Sequence, residues 1–404
     1  MNIDLPVDVG SRNVLITGGR APVALELARL LHGAGHRVYV AESAAYHLCR
    51  VSAAVEQSFR VPPPRQNPQG FIAELEVLVR RFKIDLLVPM CEEIFYIARG
   101  LDLLGSHCRV LCSPLELLHG LHHKAEFISQ AKQLGLAVPA TELIASPQEW
   151  SRAMEAQVQQ PQRVFKPVYS RFASKVIMPE GSAKRGHNPA APFAISQSFP
   201  WVAQQYIQGT AICTYSIVHE GTVVAHAAYG SQYRTGQVGA SVYFEALNHP
   251  SAMDFVRRFV QAIGFSGQIG FDFIEAEDGT LYPIECNPRA TSGLHLFAPA
   301  DHLPQALLSP GTLAAAGKVI TPHTGKKVML ALPMLACGLS AGRGNLASWW
   351  GAFRTAGDAV HRRSDLRPSI EQLRIVYKAW RLAAAHKLTM TEALTEDIEW
   401  NGER

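Results

Sequence analysis

Several features that would fix the setting of this protein are missing from its sequence. The seven cysteines are odd in number and follow no repeating spacing, which argues against a disulfide framework and for reduced thiols. Cys108 and Cys112, the closest pair, flank Arg109-Val110-Leu111 in an expected strand and read as buried thiols, not as zinc ligands. Met1 to Gly10 has neither a basic n-region nor an apolar h-region, so no secretion signal is expected. The longest apolar run, Val328 to Leu339, is interrupted by Pro333 and Gly338 and is too short to span a bilayer. The net charge of +4 comes with no basic stripe interleaved with aromatics, which leaves nucleic acid without a docking surface. HExxH, GxSxG and recognisable Cys/His pairings are absent, so hydrolase readings lack support. These absences together predict a cytoplasmic protein with neither a membrane nor a nucleic-acid partner.

What is present describes an ordinary globular chain. With 404 residues, 48% hydrophobic and 18% charged, it is long enough for two or three domains with a real core. Asn13 to Ile16 reads as a buried strand, Gly18-Gly19 as a tight turn, and Ala21 to Gly33 as a helix. Arg37 to Glu42, Phe71 to Phe82, Ile84 to Pro89 and Arg109 to Cys112 continue the alternation, which predicts a doubly wound α/β domain. Leu115 to Leu134 is expected to be one helix ending at Gly135. An α+β region then carries strands at Arg163 to Val168, Trp201 to Ile207, Ile212 to His219 and Thr222 to Tyr229. Lys326 to Leu335 looks like another strand. Ser369 to His386 reads as an amphipathic helix with Ile370, Leu373, Val376, Trp380 and Ala383 on its apolar face, and Trp349, Trp350 and Trp380 are assigned to the core.

The most informative stretch is Gly270-Phe271-Asp272-Phe273-Ile274, followed by Asp278-Gly279 and Leu281 to Arg289. Asp-Gly between apolar runs predicts a hairpin, and a two-residue loop at Asp278 and Gly279 makes paired residue numbers sum to 557. Asp272 then faces Glu285 and Gly270 faces Asn287, with Phe271, Phe273, Ile284 and Cys286 on the other face. Two carboxylates at a cross-strand distance of about 5 Å repel each other unless a cation sits between them, and hard oxygen donors suit Mg²⁺ or Mn²⁺. The same residues also suit the solvated face of an exposed hairpin.

Two lysines stand at positions that can hold phosphate. Lys124 lies in a helix before the α+β region, and Lys166 ends the apolar strand Val164-Phe165-Lys166-Pro167, where rigid backbone places its amine. The following Tyr169 to Lys175 loop offers hydroxyls, cations and backbone amides. Gln204 to Gly209 could present backbone groups to a purine edge. The Gly18-Gly19 turn lacks the third glycine of a dinucleotide fingerprint, although Glu42, 24 residues after Gly18, stands where a ribose-binding acid would.

The order of these pieces, from Lys124 through Gly135-x-x-x-Pro139, Lys166-Pro167 and Gln204 to Gly209, to Asp272 and Glu285-Cys286-Asn287-Pro288-Arg289, resembles the ATP-grasp superfamily. The likeness covers about residues 12 to 300 and is nearest to the carboxylate-amine ligase branch with biotin carboxylase and carbamoyl-phosphate synthase large subunits. It implies an α/β pre-ATP-grasp domain at 1–118, an ATP-grasp domain at 119–310 with a lid at about 160–205, and a C-terminal extension at 311–404. It further implies ATP and Mg²⁺ as ligands, with Lys124, Lys166, Ser170, Ser174 and Lys175 on phosphates and Gln204, Tyr206 and Ile207 around adenine. Asp272, Glu285 and Asn287 would hold metal, and Arg289 with Lys166 would act at the reacting phosphoryl group. The implied reaction converts a carboxylate into an acyl phosphate that an amine then displaces. Family members usually have a glycine-rich loop after the strand lysine, and Ser170 to Lys175 has no glycine, so side chains there would replace bare backbone.

For the small-molecule substrates, Glu92 and Glu93 follow a strand end in the parallel sheet, where open α/β domains bind ligands, and could take an amine. They equally suit an acid-rich helix N-terminus. Tyr233, Arg234, Arg289 and His295 are candidates for the substrate carboxylate. The last hundred residues are expected to serve as a lid or a contact in a homodimer. Two other readings are an ATP-binding regulatory module without turnover and an NAD(P)-dependent oxidoreductase built on the first domain.

Overall fold

A computed structural model describes residues 10–159, 162–169, 176–179, 195–230, 232–234, 241–340 and 346–402. The chain starts by alternating strand and helix: β1 (Asn13–Thr17), α1 (Pro22–Gly33), β2 (Arg37–Glu42), β3 (Gln57–Arg60), α2 (Pro68–Arg81), β4 (Leu86–Val88), α3 (Glu93–Arg99), α4 (Leu101–Gly105) and β5 (Arg109–Val110). All five strands run parallel in the order β3-β2-β1-β4-β5. Val14, Leu15 and Ile16 are fully buried, as expected of a strand covered on both faces. Gly18 turns the chain at φ +69°, and Pro22 opens α1, where its missing N–H costs nothing.

The single helix expected over Leu115 to Leu134 is two. α5 (Leu115–His122) and α6 (Lys124–Gln133) meet at His123, whose backbone leaves the helical region at ψ 104°. Its imidazole Nδ1 accepts from the Glu126 N–H at 3.2 Å, giving α6 its own cap. The break makes Lys124 the first residue of a helix.

The middle of the chain builds two more sheets. β6 (Thr141–Ile144), β7 (Arg163–Pro167) and β8 (Trp201–Gln205) form an antiparallel sheet in the order β6-β8-β7, with α7 (Pro147–Gln159) packed on it. Phe165, Trp201 and Ala203 point into the core with Trp150; by the register Lys166 opposite Val202 and Gln204 opposite Thr141, the alternate residues point to the other face. The larger sheet contains β9 (Gly209–His219), β10 (Thr222–Gly230), β11 (Tyr243–Leu247), β12 (Gly267–Ala276) and β13 (Leu281–Asn287), with α8 (Pro250–Ala262) behind it. Phe271 and Phe273 pack edge-on against Phe255, and Phe271 also meets Phe127 and Phe259. Gly209 is required at the first position of β9, because a Cβ there would overlap the Glu275 carbonyl oxygen.

The β12–β13 hairpin departs from the expected two-residue loop. Gly279 N–H donates to the Ala276 oxygen at 2.9 Å and Ala276 N–H to the Thr280 oxygen at 3.0 Å, so the loop is Glu277-Asp278-Gly279, with Gly279 at φ +81°. Near the loop Glu275 pairs with Leu281, Ile274 with Tyr282 and Phe273 with Pro283, a sum of 556. One residue, Ile284, then bulges out of the ladder, and Asp272 opposite Glu285 and Gly270 opposite Asn287 regain the sum of 557. The longer loop and the bulge cancel.

After 3-10 turns at Ser292–Leu296 and Pro299–Asp301 come α9 (Leu303–Leu308), α10 (Pro310–Ala315), β14 (Lys327–Met329), α11 (Ala331–Ser340), α12 (Leu346–Thr355), β15 (Gly357–Asp358), α13 (Arg367–His386) and α14 (Met390–Thr395). The strand expected to reach Leu335 stops at Met329, since Pro333 has no N–H for a ladder and fits the first turn of a helix. Of the three tryptophans assigned to the core, only Trp349 packs inward, its Nε1 donating to the Met334 oxygen at 3.0 Å; Trp350 and Trp380 are 52% and 59% exposed. α13 covers the predicted span, but Ile370, Leu373, Val376 and Trp380 face solvent and only Ala383 of the expected face is buried. After α14 the chain returns to α3, where Trp400 stacks on Phe95 at 5.4 Å and meets Tyr96 edge-on at 5.1 Å. Among the described residues no helix is long and apolar enough to cross a membrane.

Candidate active site

The face of the three-stranded sheet that carries Lys166 and Gln204 meets the polar face of the β12–β13 hairpin. Lys166, at the end of β7, donates from Nζ to the Ile284 carbonyl oxygen at 2.8 Å, the carbonyl that the bulge turns out of the ladder. Lys124, at the start of α6, donates to the Val168 oxygen at 3.2 Å and places Nζ 3.5 Å from Glu285 Oε1. Asn287 Nδ2 donates to Asp272 Oδ2 at 3.4 Å, while its Oδ1 accepts from Arg289 Nη2 at 2.9 Å. Arg289 also approaches Glu92 Oε1, at 3.9 Å. The hairpin set and both lysines therefore converge in one cleft.

Charge in this cleft is unevenly compensated. Burial, reinforced by the negative charge of Glu285, raises the proton affinity of the Asp272 carboxyl, with Cys213, Arg234 and Arg289 acting the other way. Burial and the neighbouring Lys124 ammonium lower the Lys166 pKa to about 8, against the pull of Glu285 and Asp272. A polyanion bridged to the carboxylates by a divalent cation would relieve both strains. The donor set fits such a cation: two facing carboxylates and an amide, with, among the described residues, no three acidic, histidine or cysteine side chains converging on one point. Magnesium is commonly held by one or two carboxylates, its other positions going to water and phosphate oxygens.

The remaining candidates divide. Gln204 is buried on the cleft face of β8 and donates to Thr141 Oγ1 at 3.0 Å. Tyr206 is 42% exposed and its N–H already serves the Gln162 oxygen at 2.6 Å, while Ile207 lies half-buried in the link to β9. Ser170, Ser174 and Lys175 lie outside the described residues. Glu93 works inside the first sheet: its Oε1 accepts from Thr17 Oγ1 at 2.8 Å and from the N–H groups of Met90 and Cys91 at 3.1 and 3.0 Å. Tyr233 stacks edge-on against Tyr243 at 5.6 Å, and Arg234 acts on Asp272 through its charge. His295 is buried against Phe244, and burial, with the charges of Arg362, Lys326 and Arg29, lowers its pKa to about 3. It belongs to a charged cluster under α1, not to the lysine and carboxylate cleft.

Two participants escape sequence reasoning. The Ile284 carbonyl is available only because of a bulge, which leaves no residue signature when Gly is not used. Trp400 donates its backbone N–H to Glu92 Oε2 at 3.0 Å, tying the chain end to the acid that approaches Arg289. The first-domain acid Glu42 plays a different part, accepting from Arg20 Nε, from the Arg20 backbone N–H and from the Ala44 N–H at 2.9 to 3.1 Å. Although burial opposes ionisation, Arg20 lowers its pKa to about 2. Glu42 is committed to Arg20 and has little capacity left for a ribose.

Residues 122–293 match the family model of the ATP-grasp domain. No curated protein sequence gives a match. Among solved structures, the fold is similar to an L-amino acid ligase from Bacillus licheniformis at 17% identity and a TM-score of 0.52, over 70% of this chain and 68% of that one. It is similar to an N5-carboxyaminoimidazole synthetase from Staphylococcus aureus at 15% identity and a TM-score of 0.55, over 78% and 80%. The biotin carboxylase domain dimer of Hydrogenobacter thermophilus 2-oxoglutarate carboxylase, solved with MgADP, ADP and bicarbonate, aligns at 14% identity and a TM-score of 0.56, over 79% and 74%.

Proposed function

We propose, from the match of residues 122–293 to the ATP-grasp domain model, that the chain is an ATP-dependent ligase joining a small carboxylic acid to an amine. The observation that carries the reading is the cleft itself: Asp272 facing Glu285 in register, with Lys124 3.5 Å from Glu285 and Lys166 held on the Ile284 carbonyl. Phosphoryl transfer asks for positioning and charge neutralisation and needs no nucleophilic side chain. Lys124 and Lys166 supply point charges for the phosphates of ATP, and the depressed affinity of Lys166 for its proton is reversed when phosphate arrives. Asp272, Glu285 and Asn287 are the residues that would hold Mg²⁺, or Mn²⁺ in its place, and the ion when bound neutralises phosphate charge. Gln204, with Tyr206 and Ile207 beyond the end of its strand, would line the base end of the cleft.

A substrate carboxylate oxygen attacks the γ-phosphorus and ADP leaves, giving an acyl phosphate. The amine nitrogen then attacks the acyl carbon, phosphate departs, and the nitrogen loses a proton to leave an amide. Arg289, held by Asn287 and facing Glu92, stands where it can steady the transferring phosphoryl group or the substrate carboxylate. The cysteines are thiols, which suits a reducing cytoplasm. An ADP-release screen of the purified protein against amino acids and small carboxylic acids, singly and in pairs, tests the proposal: a pair that yields ADP together with a new amide supports it, and ATP binding with no ADP from any pair would favour a binding module without turnover.

A further inference from the structure

α13 has two unlike faces. Pro368, Glu371, Ala379 and Ala383 are buried, and Glu371 pairs with Arg50 at 2.8 Å where the helix crosses the 3-10 turn at Leu48–Val51. The outer face carries Leu366, Ile370, Leu373, Tyr377 and Trp380, exposed by 50, 69, 63, 53 and 59%. Their spacing of four, three, four and three residues is that of a heptad seam, narrower than the stripe by which a helix joins its own core. Arg367, Arg374 and Arg381 recur every seventh residue along one flank, while the equivalent positions of the other flank are Ser369, Val376 and the buried Ala383. The only acid in the helix, Glu371, is buried on the inner side and also pairs with Arg374 at 3.1 Å, so the middle arginine of the row is already met by an acid of its own helix.

We propose that this seam docks an amphipathic helix of a different polypeptide, one with apolar residues at heptad positions and glutamate or aspartate facing Arg367 and Arg381. Charge decides against a second copy of this chain. Antiparallel self-pairing sets arginine row against arginine row, and parallel self-pairing sets it against Ser369, Val376 and Ala383, so neither supplies an acid. A lipid surface is met by a broad apolar face with cations on both sides of it, and here the cations stand on a single flank, opposite the exposed Val376. Tyr377 and Trp380 at the C-terminal end of the seam are side chains of the kind that anchor protein interfaces.

The test uses the full-length protein and two synthetic helical peptides of about three heptads, with Ile and Leu at the seam positions and either Glu or Lys at both flanking positions. Fluorescence anisotropy should show the Glu peptide binding at least about tenfold more tightly than the Lys peptide at about 50 mM salt, with the difference shrinking at about 500 mM. Arg367→Glu with Arg381→Glu, both at exposed positions, should invert the preference. Leu373→Ser with Trp380→Ser should weaken both peptides while leaving the melting temperature unchanged. Equal affinity for the two peptides, no binding of either, or a Glu preference that survives the charge reversal would overturn the proposal. So would sedimentation as a dimer that Leu373→Ser disperses, or attachment to phosphatidylserine vesicles without binding of the Glu peptide.

Discussion

Ile284 has no partner across the hairpin, and its carbonyl oxygen accepts a 2.8 Å hydrogen bond from the Lys166 ammonium. This one bulge does two things. It restores the register that sets Asp272 opposite Glu285, and it presents a carbonyl to a buried cation from another sheet. The hairpin and the three-stranded sheet are thereby coupled at the point where their charges meet.

Lys166 should make stability depend on alkaline pH in the absence of nucleotide. Its folded pKa, about 8, lies below the ordinary value of 10.5, so between those values the unfolded chain binds more protons and stability rises with pH. Below about 8 the cost of the buried charge is present in full. Lys166→Met should therefore stabilise the protein at pH 7 by about 1–3 kcal/mol and flatten the rise between pH 8 and 10.5. Urea unfolding of both proteins across that range checks this, and a Met variant that is less stable at pH 7 would count against it.

Glu42 should behave in the opposite sense. Its pKa of about 2 lies below the ordinary 4.5, so its contribution is whole above pH 4.5 and is lost as the pH falls toward 2. Glu42→Gln should cost about 1–3 kcal/mol at pH 7, because the buried Arg20 charge would keep only the Asp397 carboxylate, and the gap from the parent should narrow below pH 4.5. Because that carboxylate is occupied, NAD(H) and NADP(H) should leave the parent's melting temperature unchanged. A stabilisation by either dinucleotide would revive the oxidoreductase reading.

Trp400→Ala should destabilise the protein by about 3–5 kcal/mol, since the indole is 2% exposed and packs on Phe95 and Tyr96. Trp400→Phe, which keeps an aromatic ring and the backbone N–H to Glu92, should recover most of that loss. Chemical denaturation of the two variants measures both, and equal losses would mean that ring packing is not what seats the chain end.

The sequence carried the cleft better than its surroundings. Alternation in Gly270 to Ile274 and Leu281 to Asn287 is enough to set Asp272 and Glu285 on one face, and apolar runs are enough to reveal a parallel first sheet. The hairpin loop misled because Glu277-Asp278-Gly279 and Asp278-Gly279 share the same glycine at positive φ, and the bulge that offsets the extra residue has no composition of its own. The break at His123 was hidden because histidine is a poor but permitted helix residue whose capping role depends on a side-chain bond to Glu126. α13 defeated the usual rule that apolar periodicity marks the buried face: its inner side is lined by Pro, Glu and Ala, and the periodic residues point outward. Glu93 illustrates a fourth limit, since two adjacent acids have the same sequence signal while one caps backbone N–H groups and the other approaches Arg289.

The central claim is that Asp272, Glu285 and Asn287 hold the metal of a nucleotide whose phosphates meet Lys124 and Lys166. Thermal unfolding with Mg·ATP tests it most directly in the parent and in Glu285→Gln. At about 100 times the dissociation constant, bound nucleotide should add about 2.7 kcal/mol to the parent only when magnesium is present. Glu285→Gln should lose that gain while still unfolding cooperatively; an equal magnesium-dependent gain in the variant would contradict the assignment.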